Sequence, residues 1–417
     1  MKKSKIIYEQ LNPLRVFSFL YSFYVLSALG NVLFIEKNEY SNSVIIQFSV
    51  VCIIGYISFI FGYKYCNPLA KQIHYGNNQN FKIHKLLLFF TIIVSLLNYK
   101  YVISLINPFA ASAYTDRIAK LADVSDFNGV ASNFNDLTFL LIYLVLFYKS
   151  ILNKKFNLLI LIIGFLLLLT SIMSGSKSVV IFYVSLVLII HNYNGNKINF
   201  KVLFPLFIVV YVFSIMISHV RNTTLLLEML SNSKDLILDN ILILSPFNSG
   251  ELIVPKNLMK IIDSINKGEV SYSYGINILN DLFSFIPKFI WPDRPLNTSL
   301  YYAKTFFPSE FEKGLGFGNF ILTEGYLSFG IIGVFIEMFI FGFFLKTAYF
   351  FFRNRQDSPL YIYMYVIFFQ FFILYSVRTG FLISFKTVSL ILAPFFLINL
   401  VARIKNDYFI NNKILSK

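Results

Sequence analysis

Ten uninterrupted apolar runs dominate this chain of 417 residues, at about 14–35, 43–63, 86–106, 134–149, 156–174, 178–192, 200–218, 327–351, 360–377 and 381–402. A helix crossing the hydrocarbon core of a bilayer needs about 20 apolar residues, and most of these runs have that length. Buried helices of a water-soluble core do not repeat this pattern so often. The runs are continuous rather than alternating, which excludes a membrane β-barrel. Only 14% of residues are charged and the mean hydropathy is +0.67, where soluble domains carry about 25% charge. The first run is long and no small-residue cleavage site follows it, so it reads as a span and not as a signal peptide. The expected fold is an all-α integral membrane protein.

The formal charge of +15 is distributed by topology. Lys2, Lys3, Lys5 and Arg15 precede span 1, and Lys64, Lys71, Lys82 and Lys85 lie between spans 2 and 3. Lys149, Lys154 and Lys155 separate spans 4 and 5, and Lys197 and Lys201 follow span 6. Arg353 and Arg355 follow span 8, and Arg403, Lys405, Lys413 and Lys417 close the chain. Every second loop is basic, the arrangement that holds loops on the cytoplasmic side. Both termini are therefore expected in the cytoplasm, in agreement with an even number of spans. The positive excess is accounted for by the bilayer, and no nucleic-acid partner is expected.

Three units follow: transmembrane helices 1–7 over residues 1–218, an external loop over 219–326, and transmembrane helices 8–10 with a cytoplasmic tail over 327–417. A smaller external loop, about 107–133, contains AYTDRIAKLADVSDF, with the pattern of a short amphipathic helix. The large loop opens with LLLEMLSNSKDLILDNILIL, helical in period and apolar enough to lie on the membrane face or on the bundle. A second helix is predicted from Pro255 to about Ile265; beyond Gly268 the chain is rich in Tyr, Pro and Gly as far as Gly325. No repeat of 20–50 residues is visible. Cys52 and Cys66 are separated by fourteen residues of one helix, roughly 21 Å, too far for a disulfide.

The stretch from Phe283 to Gly333 breaks the apolar series with Pro, Gly, aromatic rings and both signs of charge. Lipid tolerates irregular backbone only where protein or water satisfies its polar groups, so a working site is expected here. Of the 21 acids, only Glu9, Asp357 and Asp407 fall in cytoplasmic segments and Glu337 falls inside span 8. The carboxylates available for chemistry are thus external. Against the topological trend, Lys177 in MSGSKS, Arg221 in SHVRN and Arg378 in SVRTG sit at the outer ends of spans, and Arg294 in WPDRP can join them. Such cations either hold phosphate oxygens or reach outward to lipid headgroups. Gly175 beside Lys177 permits a tight turn whose N–H groups would also face an anion.

Glu324, in LTEGYLSFG, either caps the following helix or serves as a general base for a hydroxyl. His219, external and beside Arg221, is a second candidate base, or simply bonds a neighbour. Glu337 is costly in lipid and should face the bundle, with Lys386 as a structural partner. Tyr272, Tyr274, Trp291, Tyr301 and Tyr302 lie in the external loop, where rings either stack on sugar faces or pack the cap. No His or Cys spacing suits zinc, so no metal site and no cofactor are expected. No Asp-x-Asp, P-loop or G-x-S-x-G motif is present.

SGSKS between two mid-chain spans, the long external loop, FIPKFIWPDRP and GFGNFILTEGYLSFGIIGVFIE together resemble Wzy-type oligosaccharide repeat-unit polymerases of bacterial surface polysaccharides. The resemblance covers about 170–380, and it departs from the family at Lys177, where Arg is usual. It implies a GT-C-like membrane glycosyltransferase in the cytoplasmic membrane. The implied substrates are undecaprenyl-pyrophosphate-linked oligosaccharides, and the implied partner proteins are a flippase and a chain-length regulator. Under it, Lys177, Arg221, Arg294 and Arg378 would bind the pyrophosphate, Glu324 or His219 would serve the acceptor hydroxyl, and Trp291, Tyr301 and Tyr326 would contact sugar. An O-antigen ligase shares the same donor, and a lipid-linked oligosaccharide flippase is the alternative of a different class. A transporter should show inverted repeats, broken helices and charges lining the midplane. Here only Glu337 and Lys386 lie deep.

Overall fold

A computed structural model describes residues 12–65, 247, 252–286, 290–312, 317–355, 359–393 and 395–396. The expected spans 3–7, both helices expected before residue 245, Lys177, His219, Arg221 and Cys66 lie outside the described residues. Among the described residues the structure is helical, with a single isolated β-bridge between Asn319 and Thr379.

Helix α1 (Pro13–Gly30) starts where the Asn12 side chain accepts the Leu14 N–H at 3.0 Å and Pro13 supplies the fixed φ of a first turn. It continues through a π turn, Asn31–Ile35. Helix α2 (Asn42–Tyr65) follows, and its outward positions Ile46, Val50, Ile53, Ile57 and Phe61 are all exposed and apolar. In water that stripe would be a defect; in a bilayer it is the surface the solvent selects. Four helices, Pro13–Ile35, Asn42–Tyr65, Thr323–Arg353 and Leu360–Thr379, are long and apolar enough to cross a membrane. They match the runs expected at 14–35, 43–63, 327–351 and 360–377. A further apolar helix, Phe381–Ala393, starts where the last run was expected.

On one side of these spans lie four short helices: α3 (Lys256–Asn266), α4 (Ile276–Phe283), α5 (Thr298–Phe306) and α6 (Pro308–Glu312). The helix predicted from Pro255 is α3, with Pro255 at its N-cap. It is fastened to the loop after α1, where Lys256 forms ion pairs with Glu36 and, at 2.6 Å, with Glu39. Its Leu258, Met259, Ile261 and Ile262 face the core. Tyr302 on α5 is buried and gives its hydroxyl to Asn257 of α3 at 3.0 Å.

Helix α7 (Thr323–Arg353) is two limbs. Phe329 and Gly330 leave helical geometry, Gly330 at φ +61°, a conformation that glycine adopts without strain. A short limb, residues 323–328, folds against the head of the long limb, residues 331–353. Gly325 and Gly333 make the crossing: a methyl on either would strike the other's backbone. The spanning helix thus begins at residue 331, four residues later than the apolar pattern indicates, because Leu327 and Ser328 belong to the turned-back limb and Phe329 and Gly330 form the bend.

The long limb packs along α2 in the same direction. Gly342 lies on the Phe59 carbonyl, Gly62 on the Phe339 carbonyl, and Ser58 donates to the Phe335 carbonyl. With no hydrophobic drive between helices in lipid, such small residues let backbones approach and make the contact. Helix α8 (Pro359–Phe368) runs back along α7 through ring contacts Phe352–Phe368 and Phe341–Phe372. A π turn, Phe369–Leu374, and the short α9 (Tyr375–Thr379) complete that span. Helix α10 (Phe381–Ala393) turns again beside α7, with Phe344 edge-on to Phe385 at 5.3 Å. Among the described residues, consecutive spans therefore run in opposite directions.

Candidate functional site

Most of the buried polar groups among the described residues gather where three pieces of chain meet: α4, the short limb of α7, and the turn between α9 and α10. The approach to α7 pairs with that turn as a strand would. The Asn319 N–H donates to the Arg378 carbonyl at 2.7 Å and the Ile321 N–H to the Val377 carbonyl at 3.2 Å. Gly380, at φ +84°, ends the turn. Its missing side chain matters, because a methyl there would overlap the Glu324 carboxyl.

Glu324 is fully buried. Its Oε2 accepts the Leu382 N–H at 3.3 Å, so the carboxylate caps α10 across the junction, not the helix that carries it. Glu337, one turn below Gly333 on the long limb, accepts the Gly325 N–H at 2.6 Å, and its carboxyl neighbours that of Glu324. The expected partnership of Glu337 with Lys386 is not what holds either residue here. Glu337 supports the short limb, while Lys386 gives its ammonium to the Ser284 carbonyl at the end of α4. The Oε1 atoms of Glu324 and Glu337, Thr323 Oγ1 and Asn319 Nδ2 are buried without a hydrogen-bond partner. The last of these borders the same Gly380 position as Glu324 Oε1.

Helix α4 supplies the third wall. Asn277 donates to the Glu324 carbonyl at 2.9 Å and accepts from Ser328 at 2.7 Å, which ties the short limb to α4. One turn on, Asp281 accepts the Thr298 N–H at 2.8 Å and the Thr298 hydroxyl at 2.5 Å, fixing the start of α5. Burial raises its pKa to about 6, against the opposing pull of the Thr298 bonds and of Lys386. Arg294 closes the helix: its Nη1 donates to the Ser284 carbonyl at 2.6 Å and to the Ile286 carbonyl at 2.8 Å. Arg294 and Lys386 thus converge on one carbonyl, two cations set at a helix C-terminus where the dipole favours them.

Of the residues singled out from sequence, Glu324 and Arg378 meet at this junction and Arg294 stands at its α4 wall. Tyr326 is buried, and its hydroxyl accepts a hydrogen bond from Gln47 of α2 at 2.8 Å, so its ring packs the core. Trp291 and Tyr301 are exposed. Trp291 stands edge-on to Phe283 with ring centres 5.4 Å apart. Asp281, Asn277 and Asn319 were not singled out. The four-residue spacing of Asn277 and Asp281 on a short, largely apolar helix was the available signal; Asn319 had none, because its place depends on pairing with residues nearly sixty positions later. Among the described residues no three His, Cys, Asp or Glu side chains gather to hold a metal ion.

A polytopic helical membrane protein with a buried acid–base junction under a cap of short helices is the class these features define. The sequence pattern of the O-antigen polysaccharide polymerase Wzy family matches residues 13–410, nearly the whole chain, and the protein belongs to that family. Searches of curated proteins and of solved structures find no match.

Proposed function

We propose that this protein polymerises undecaprenyl-pyrophosphate-linked oligosaccharide repeat units on the outer face of the cytoplasmic membrane. The observation that carries the reading, given the family, is the pairing of residues 319–321 with the turn that bears Arg378, which brings Glu324 and Arg378 to one junction. In the proposed step a hydroxyl of one lipid-linked unit attacks the anomeric carbon of the growing chain. The bond from that carbon to the pyrophosphate oxygen breaks, the lipid pyrophosphate leaves with the electron pair, and the hydroxyl proton passes to a base. Fixed cations that meet the charge on the leaving group lower the barrier without a metal. Arg378 and Arg294, with Lys177 and Arg221, are assigned to the pyrophosphate, and Glu324 or His219 to the acceptor proton. Tyr301 is the exposed ring assigned to sugar; the buried Tyr326 is given a packing role.

The same reading carries ten spans in a GT-C-like arrangement with both termini in the cytoplasm. The parallel course of α2 and the long limb of α7 supports it, since an odd number of crossings must lie between them and five are expected. Arg221→Ala and Arg378→Ala should each lower polymer yield about 10²-fold or more while the protein still inserts. Normal chain-length ladders from both variants would remove the pyrophosphate assignment. Product that leaves undecaprenyl pyrophosphate for another acceptor would instead identify a ligase.

A further inference from the structure

Helix α4 is built inside out. Asn277 and Asp281 on its inner face are 5% and 1% exposed, while Ile276 and Leu279 on its outer face are 61% and 52% exposed. Leu282 and Phe283 continue that outer face, and Ile290 and Trp291 after the helix are exposed beside them. A helix at an aqueous surface has the reverse pattern, with its apolar side inward. An open apolar face of this size marks a contact surface.

The neighbouring surface says what covers it. Gly275, at the head of α4, lies against the Phe329 ring, which begins the exposed apolar side of α7. Ile332, Phe335, Ile336 and Ile340 extend that side down the spanning limb, where its surroundings are acyl chains. The apolar surface therefore runs without interruption from the span onto α4. We propose that α4, with Ile290 and Trp291, is immersed in the leaflet on the side of α3–α6, its outer face covered by lipid acyl chains. Interfacial helices of this kind sit about 5–10 Å into the headgroup–acyl boundary. Immersion orients the polar side of α4 towards Glu324 and sets Arg294 and Lys386 at headgroup level. Under the proposed function, that is the level at which a lipid-borne pyrophosphate arrives; the immersion itself does not depend on that function.

The chain contains a single tryptophan, and it is Trp291. The full-length protein reconstituted in phosphatidylcholine vesicles reports on its surroundings directly. With lipids brominated on the acyl chain, Trp291 should lose most of its emission, more with bromine near the headgroup end than near the chain terminus. Aqueous iodide should leave it almost unchanged. In a Trp291→Phe background, Leu279→Trp should behave as Trp291 does, and Glu269→Trp, on an exposed polar turn, should show the opposite response. Emission from Trp291 and from the Leu279→Trp variant that brominated lipids leave intact would overturn the proposal. Iodide quenching would then mean water, and protection from both quenchers would mean a protein cover. Bromolipid quenching in a protein that makes no polymer would leave the immersion standing and remove the functional reading.

Discussion

Glu324 was legible as a lone acid at the head of a span, but its partners were not. In the fold its Oε2 holds the N–H of Leu382, and its Oε1 fills the place that Gly380 leaves open. Glutamine can still accept the Leu382 N–H but cannot take a proton at pH 7. Glu324→Gln is therefore expected to lose polymer as fully as Glu324→Ala, by about 10²–10⁴-fold, if the carboxylate serves the acceptor. A Gln variant that retains activity while the Ala variant does not would make Glu324 a clamp on the Arg378 turn; polymer length in membranes reads the difference. Asp281 gives a second test. Its folded pKa, raised to about 6 from an ordinary 3.8, means the folded state binds this proton more tightly than the unfolded chain. Its contribution to stability is therefore full below about pH 4 and is lost as pH rises through 6, a cost of up to about 3 kcal/mol. Melting temperatures in detergent should show wild type falling relative to Asp281→Asn across that window, with no further divergence above pH 7.

At the scale of elements, the expected spans and observed helices agree within a few residues wherever the chain is described. Length and apolarity are local properties, and a bilayer reads them directly. The fold-back of α7 is not local. Thr323–Ser328 and Ile331–Arg353 share one apolar helical pattern, and only the Gly330 backbone and the Gly325–Gly333 crossing separate them. Gly342→Leu should disrupt the α2–α7 contact, because its side chain meets the Phe59 carbonyl and not a yielding side chain. Overpacking of this kind typically costs about 1–3 kcal/mol. The variant should aggregate on size-exclusion chromatography in detergent, where Ile340→Ala, on the exposed side of the same limb, should elute as wild type.

For the whole molecule, the charge pattern and the alternating helix directions make one topology. A cysteine introduced at Glu269 in a Cys52→Ala, Cys66→Ala background should react with an impermeant maleimide on intact cells. A cysteine at Asn354 should react only after permeabilisation; equal labelling of both without it would break the assignment of sides. The sequence by itself determined the class of protein and the placement of its spans where they are described. Each follows from the solvent: twenty apolar residues in a row, flanked by lysines, have few other ways to be satisfied. Tertiary structure alone decided which charges meet. Arg294 and Lys386 share one carbonyl, Glu337 supports the backbone beside Glu324, and α4 turns its polar side inward, because each of those contacts depends on how separate elements pack against one another. Partners for a buried polar group are a matter of three-dimensional proximity, and periodicity along a sequence carries no record of them.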